Sequence, residues 1–224
     1  MTSEYNPRAY QVPPEGDWRE WGIWGGRGCG KTSAIVRFIA GEIMAGQVKR
    51  VLVVSPREAV LLDAIGAIDA HADKAGRVLG MRVRGVPCSL EWRSEASSPR
   101  PCDGAWVRGI SCPLGRSDIR GDNYDLVWCT ELRATGTSVL DDCRLAARIG
   151  KARVVWDCTP DPMAVLLGES APTIRSVVRR RDGSVSVTQF PKPTPVDVAS
   201  DVTVVPTRPT AKQIEDIVAA IRSL

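Results

Sequence analysis

Residues Gly25-Gly26-Arg27-Gly28-Cys29-Gly30-Lys31-Thr32 place a glycine, four residues, then Gly-Lys-Thr. That spacing is a phosphate-binding loop. The glycines let the backbone wind into a nest whose N–H groups point at phosphate oxygens. Lys31 can reach the β- and γ-phosphates of a nucleotide, and the Thr32 hydroxyl can ligate Mg²⁺. A helix beginning there adds its positive N-terminal end. The candidate nucleotide set is therefore Gly25, Gly26, Arg27, Gly28, Cys29, Gly30, Lys31, Thr32 and Ser33. The Cys29 thiol is read as filler, with its backbone doing the binding.

The loop needs a strand before it and a helix after it. Trp21-Gly22-Ile23-Trp24 is the apolar feed; Ala34, Ile35, Phe38, Ile39 and Ile43 recur at helical spacing, and Gly46 marks the stop. Val51–Val54 is a continuous β-branched run that reads as a buried parallel strand. Arg57–Gly76 reads as helix. Met81–Cys112 holds short strand-like pieces broken by prolines. Tyr124–Cys129 is a further apolar strand, Leu140–Ile149 a helix, and Arg153–Trp156 another strand. Strands alternating with helices predict an α/β fold of the P-loop NTPase class (ASCE or RecA-like), a mainly parallel central sheet flanked by helices. Residues 1–16 read as an extended arm.

The character changes near Gly168. Ile174–Val178 and Val185–Phe190 flank Asp182-Gly183, a strong hairpin signal. Proline-rich residues 191–209 read as a linker, and an amphipathic helix with a capping box begins at Thr210. The expected organisation is an ATPase domain over 1–168 and a C-terminal extension over 169–224.

The remaining composition narrows the class. The chain has 224 residues, 43% apolar and 25% charged, ordinary for a globular protein, and no apolar run long enough for a membrane span. No secretory signal is visible at the N-terminus. Seven cysteines, an odd number without a CxxC pair, speak against a disulfide framework or zinc site and fit a reducing cytoplasm. The net charge of +4 permits a nucleic-acid partner without demanding one. The single histidine, His71, reads as part of a solvated helix face.

Several blocks around the loop resemble the ATPase domain of the large terminase subunit of tailed phages and gene transfer agents. They are Pro14–Trp21 before the loop, Gly25–Thr32 with its internal arginine, Ile119–Leu132, and Trp156-Asp157-Cys158-Thr159-Pro160. They fall in the family's order over roughly residues 10–165. The resemblance implies a motor that hydrolyses ATP, with Mg²⁺, to translocate double-stranded DNA into a prohead in the host cytoplasm. It implies a homo-oligomeric ring docked on a portal protein, and a small terminase subunit that recognises DNA.

It also assigns roles. Glu131, at the end of a buried strand, would polarise the attacking water. Arg27 would act as an arginine finger or nucleotide sensor, or else face solvent or a neighbouring subunit. Arg120 would be a second sensor or would fix its own loop. Thr159 matches the residue that couples γ-phosphate state to movement, though a plain strand-end threonine reads nearly as well.

Two departures qualify the resemblance. The residue before Glu131 is normally a Mg²⁺-holding aspartate; here it is Thr130. A hydroxyl can keep a water in the metal shell but carries no charge, and Asp157 on the neighbouring strand is a candidate to compensate. Large terminases also carry a nuclease domain, and the acidic residues after the coupling segment form no legible two-metal site. No nuclease activity is expected, and a separate chain would supply it. Arg175, Arg179, Arg180 and Arg181 on the hairpin read either as sequence-blind DNA contacts or as a solvated turn. Two other readings stay open: a nucleotide-binding switch or assembly module with little hydrolysis, and a small-molecule kinase, for which no acceptor lid is legible.

Overall fold

The structure, a computed structural model, describes residues 6–72, 77–78, 89–93, 100–112, 119, 123–160 and 174–190. The strands are β1 (Trp18–Trp24), β2 (Arg50–Ser55), β3 (Arg77–Val78), β4 (Ser89–Arg93), β5 (Trp106–Ser111), β6 (Leu126–Cys129), β7 (Arg153–Cys158), β8 (Ile174–Arg180) and β9 (Val185–Phe190). The helices are α1 (Lys31–Met44), α2 (Glu58–His71), α3 (Leu132–Thr135) and α4 (Thr137–Ala146). The strands form one sheet in the order β3-β4-β5-β2-β6-β7-β1-β8-β9. The run β5-β2-β6-β7-β1 is parallel throughout, and antiparallel strands extend it at both edges. This is the α/β arrangement expected from alternating apolar runs and helical periods.

The central strands are buried on both faces, and their alternation splits the core. In β6, Leu126 and Trp128 face the layer of α1 and α2, while Val127 and Cys129 face α4. Trp128 is fully buried. An indole removed from water contributes roughly 4–6 kcal/mol before entropy is subtracted. Gly22 in β1 is required by packing, because a Cβ there would fall 2.1 Å from the Trp156 ring. That space lets Trp156 Nε1 donate to Glu20 Oε1 at 2.9 Å. Trp18 and Trp21 both pack against Phe38, so the tryptophans near the loop belong to the core.

Two sequence expectations change in detail. The N-terminal arm is not extended throughout: residues Ala9–Gln11 form a 3₁₀ turn that buries Tyr10. The hairpin after residue 168 is continuous with the main sheet, because β8 pairs with β1 from Trp18 to Trp24. The proline-rich linker and the C-terminal helix lie outside the described residues.

Candidate functional site

The loop leaves β1 at Gly25, whose N–H donates to Cys158 O at 3.1 Å, and turns directly into α1. Gly28 and Gly30 have φ of 78° and 82°, the left-handed region that favours glycine. A Cβ on Gly30 would lie 2.3 Å from Gln11 Nε2. Lys31 is buried, and its Nζ donates to Gly25 O at 2.8 Å and Gly26 O at 3.0 Å. The ammonium therefore lies inside the curl of the loop. Thr32 and Ser33 are exposed in the first turn of α1.

The arm braces this loop from below. The Tyr10 hydroxyl donates to Cys29 O at 2.7 Å, and Gln11 Nε2 lies 3.3 Å from Gly30 O. The Cys29 carbonyl is thus held by the arm, while its Sγ lies 3.8 Å from Lys31 Nζ. Tyr10 and Gln11 carried no signal in the sequence, since their partners lie 18 or more residues away and no motif joins them.

Glu131 stands one strand away from the loop strand, at the carboxyl end of β6 with β7 between. It is the one non-glycine residue at positive φ among the described residues, with φ 51° and ψ 50°. Such a backbone costs on the order of 1 kcal/mol and persists only where its surroundings hold it. Here Thr135 Oγ1 donates to Thr130 O at 2.9 Å and to Glu131 O at 3.1 Å. The Glu131 N–H points to Asp157 Oδ2 at 3.4 Å. The bend turns the Glu131 side chain into a cleft of about 410 Å³ that it shares with Arg27, Arg57, Arg133, Thr159 and Pro160. Arg57 Nη2 lies 3.1 Å from Glu131 Oε2. Arg57 follows β2, and no motif in the sequence marked it.

Behind Glu131 sits Asp157, with only 2% of its surface exposed. Burial pushes its carboxyl up. The Trp128 indole N–H at 2.9 Å, the Glu131 N–H, the charge of Lys31 and the Thr130 hydroxyl oppose that rise. Thr130 is buried as well. Cys158, next in sequence, has its thiol pushed up to about 11, chiefly by burial, so it is no nucleophile at neutral pH.

The oxygen donors Thr32, Thr130, Asp157 and Glu131 suit a hard cation. Among the described residues no group of three or more His, Cys, Asp or Glu could hold a metal by itself. The structure thus brings Arg27, Thr159 and Glu131 into one cleft, with Lys31 inside the loop at the start of α1 and Thr130 buried next to Glu131 in the chain. Arg120 lies outside the described residues. The hairpin arginines turn partly inward: Arg181 Nε donates to Asp17 at 2.8 Å, and Arg179 lies 3.8 Å from Glu20.

A larger cleft, about 610 Å³, opens at the opposite ends of the strands, lined by Trp18, Arg50 and Arg153 among others. Size favours it, but chemistry does not. In open α/β sheets ligands bind at the carboxyl ends of strands, and there the loop and Glu131 converge.

The fold is similar to that of large terminase ATPase domains. The ATPase domain of the large terminase of Thermus phage P74-26 superimposes with a TM-score of 0.52 at 19% identity, covering 70% of this chain and 66% of that one. An arginine-to-alanine mutant of the same domain gives 0.52 at 18% identity, with the same coverage. The large terminase of a thermophilic bacteriophage gives 0.47 at 12% identity, covering 34% of that chain. The chain thus spans just under two thirds of the phage ATPase domain it matches and about a third of the longer terminase. No family model matches the sequence, and no curated protein does. Among the described residues no helix is long and apolar enough to cross a membrane.

Proposed function

We propose that the chain is an ATP-hydrolysing, terminase-like motor subunit that drives double-stranded DNA into a viral or virus-like prohead. The observation that carries this reading is Glu131, held left-handed at the end of β6 and aimed into the same cleft as Arg27 and Thr159. In this reading Lys31 leaves the Gly25 and Gly26 carbonyls to meet the β- and γ-phosphates, and the loop N–H groups hold the remaining phosphate oxygens. Thr32 would hold Mg²⁺, with Thr130 at its water shell, and the ion would supply positive charge to offset that of the phosphates. Glu131 orients the attacking water and accepts its proton. Arg27 supplies positive charge at the γ-phosphate or reads its presence, and Thr159 couples that state to movement. The partners are a portal protein, a small terminase subunit and further copies in a ring, in the host cytoplasm.

The test is ATP turnover with and without double-stranded DNA and portal. Wild type should be stimulated. Glu131→Ala should lose about 100-fold or more in turnover with nucleotide affinity kept, and Lys31→Ala should lose the affinity itself. Equal turnover in wild type and Glu131→Ala would remove the assignment.

Thr130 favours a second reading, a nucleotide-binding assembly or switch module with little hydrolysis. Tight ATP binding with negligible turnover, even with DNA and portal present, would select it.

A further inference from the structure

The neutral Thr130 leaves the usual place for a metal-holding carboxylate without one, yet another carboxyl group lies beside it. Parallel pairing sets Trp128 opposite Val155 and Cys129 opposite Trp156, so the next pair across β6 and β7 is Thr130 and Asp157. On its other side Asp157 pairs with Ile23, two residues before the phosphate loop. Alternation puts Asp157 on the same face as Val155 and Trp128, the face covered by α1 with Lys31 and Thr32 at its start. Relative to Thr130, Asp157 is one strand spacing, about 4.8 Å, nearer the loop strand.

We propose that Asp157 is the carboxylate that holds the hydrated divalent cation of the nucleotide, with Thr130 as its hydrogen-bonded partner. The negative charge needed beside the cation has moved from β6 to β7. The carboxylate has the capacity for this. Its two oxygens offer about four acceptor directions; Trp128 Nε1 uses one at 2.9 Å, the Thr130 hydroxyl another, and the Glu131 N–H reaches it only at 3.4 Å. One direction remains for a metal-bound water. The same contacts make Asp157 a positioning residue for Glu131, because its Oδ2 faces the N–H of the left-handed residue. A purely structural Asp157 would hold Trp128 and Glu131 and leave metal affinity alone.

This inference rests on the nucleotide reading, and the experiment separates the two. The measurements are Mn²⁺ affinity by electron paramagnetic resonance with ATPγS present, and ATPγS affinity without metal. The proteins are wild type, Lys31→Ala, Asp157→Asn and the swapped double variant Thr130→Asp/Asp157→Asn. Asp157→Asn should weaken Mn²⁺ binding by about tenfold or more, the size seen when a group orienting metal ligands is lost, and leave metal-free ATPγS affinity within about threefold. The swapped variant should regain the wild-type Mn²⁺ affinity. If Asp157→Asn does not fold, the swapped variant alone is read: wild-type-like Mn²⁺ affinity supports the relocation, and its loss overturns it. ATPγS binding that depends on Lys31, with Mn²⁺ affinity indifferent to Asp157→Asn, overturns this inference alone. No Lys31-dependent ATPγS binding in wild type overturns the nucleotide reading and takes this one with it.

Discussion

The two ends of the parallel strands use charge in opposite ways. At the amino ends, Arg50 meets Asp125 at 3.1 Å, Arg181 meets Asp17 at 2.8 Å, and Arg153 pairs with Glu42 while lying over the Trp18 ring at 5.0 Å. Nearby, buried Glu20 takes two hydrogen bonds from Arg144, at 2.8 and 2.9 Å. Each of these cations has an anion: the pairs join β2 to the residue before β6, β7 to α1, α4 to β1, and the turn of the β8–β9 hairpin to the residue before β1. At the carboxyl ends, Lys31 donates to backbone carbonyls, Arg27 is exposed, and Glu131, whose ion pair is with the exposed Arg57, holds a backbone that disfavours it. The larger cleft belongs to the end where charges satisfy one another. The smaller belongs to the end where strain and cations converge, which is where chemistry on an anion is expected.

If that contrast is right, substitutions at the two ends should separate function from stability. The largest effect is expected for Glu131→Gly. Glycine accepts φ 51° without penalty, and the Arg57 pair it removes is mostly exposed and worth little. Turnover should fall by about 100-fold or more, while stability in urea stays level or rises by up to about 1 kcal/mol. A clear loss of stability would mean that Glu131 is held for packing.

The converse is Glu20→Gln at the other side of the sheet. Losing one partner of this buried pair should lower stability by about 2–3 kcal/mol and leave ATPγS affinity unchanged. The effect has a pH signature. Burial alone would raise the Glu20 carboxyl, but Arg144, Trp156 and Arg179 hold it below its ordinary 4.5. The unfolded chain therefore takes up the proton first. The stabilisation is complete above about pH 4.5 and is lost as pH falls through the lower folded value. The gap between wild type and Glu20→Gln in urea titrations should close on acidification from pH 6 to pH 3; a gap independent of pH would show that packing, not charge, explains it. The smallest effect is Arg50→Ala. Its pair with Asp125 is nearly half exposed on the arginine side, so thermal melting should register less than about 1 kcal/mol. A larger shift would show that this end stabilises through its surface pairs as well.

Much of this was legible in the chain. The loop from Gly25 to Thr32 combines a local pattern with a local fold, so its spacing alone announced a tight glycine loop between strand and helix. The runs at Val51, Leu126 and Arg153 read as buried strands because a central parallel strand is covered on both faces. Glu131 was legible as a strand-end carboxylate, yet its left-handed backbone was not. That conformation comes from the Thr135 side chain and the tight turn into α3. Thr130 was visible as a departure, and Asp157 as a candidate to offset it. Their adjacency needed the register of β6 on β7.

What the sequence determined by itself is therefore whatever depends on neighbours along the chain: the glycine loop between β1 and α1, the strand and helix periods, and the hairpin turn at Asp182-Gly183. What only the tertiary structure decided is whatever depends on strand order. Tyr10 bracing the loop, β7 lying between β1 and β6, Arg57 reaching Glu131, and the Asp157 carboxyl beside Thr130 are all contacts between residues far apart in sequence. Side-chain periodicity tells a strand which face to bury. It carries no information about which strand lies next to it, and the chemistry of this site is set by that adjacency.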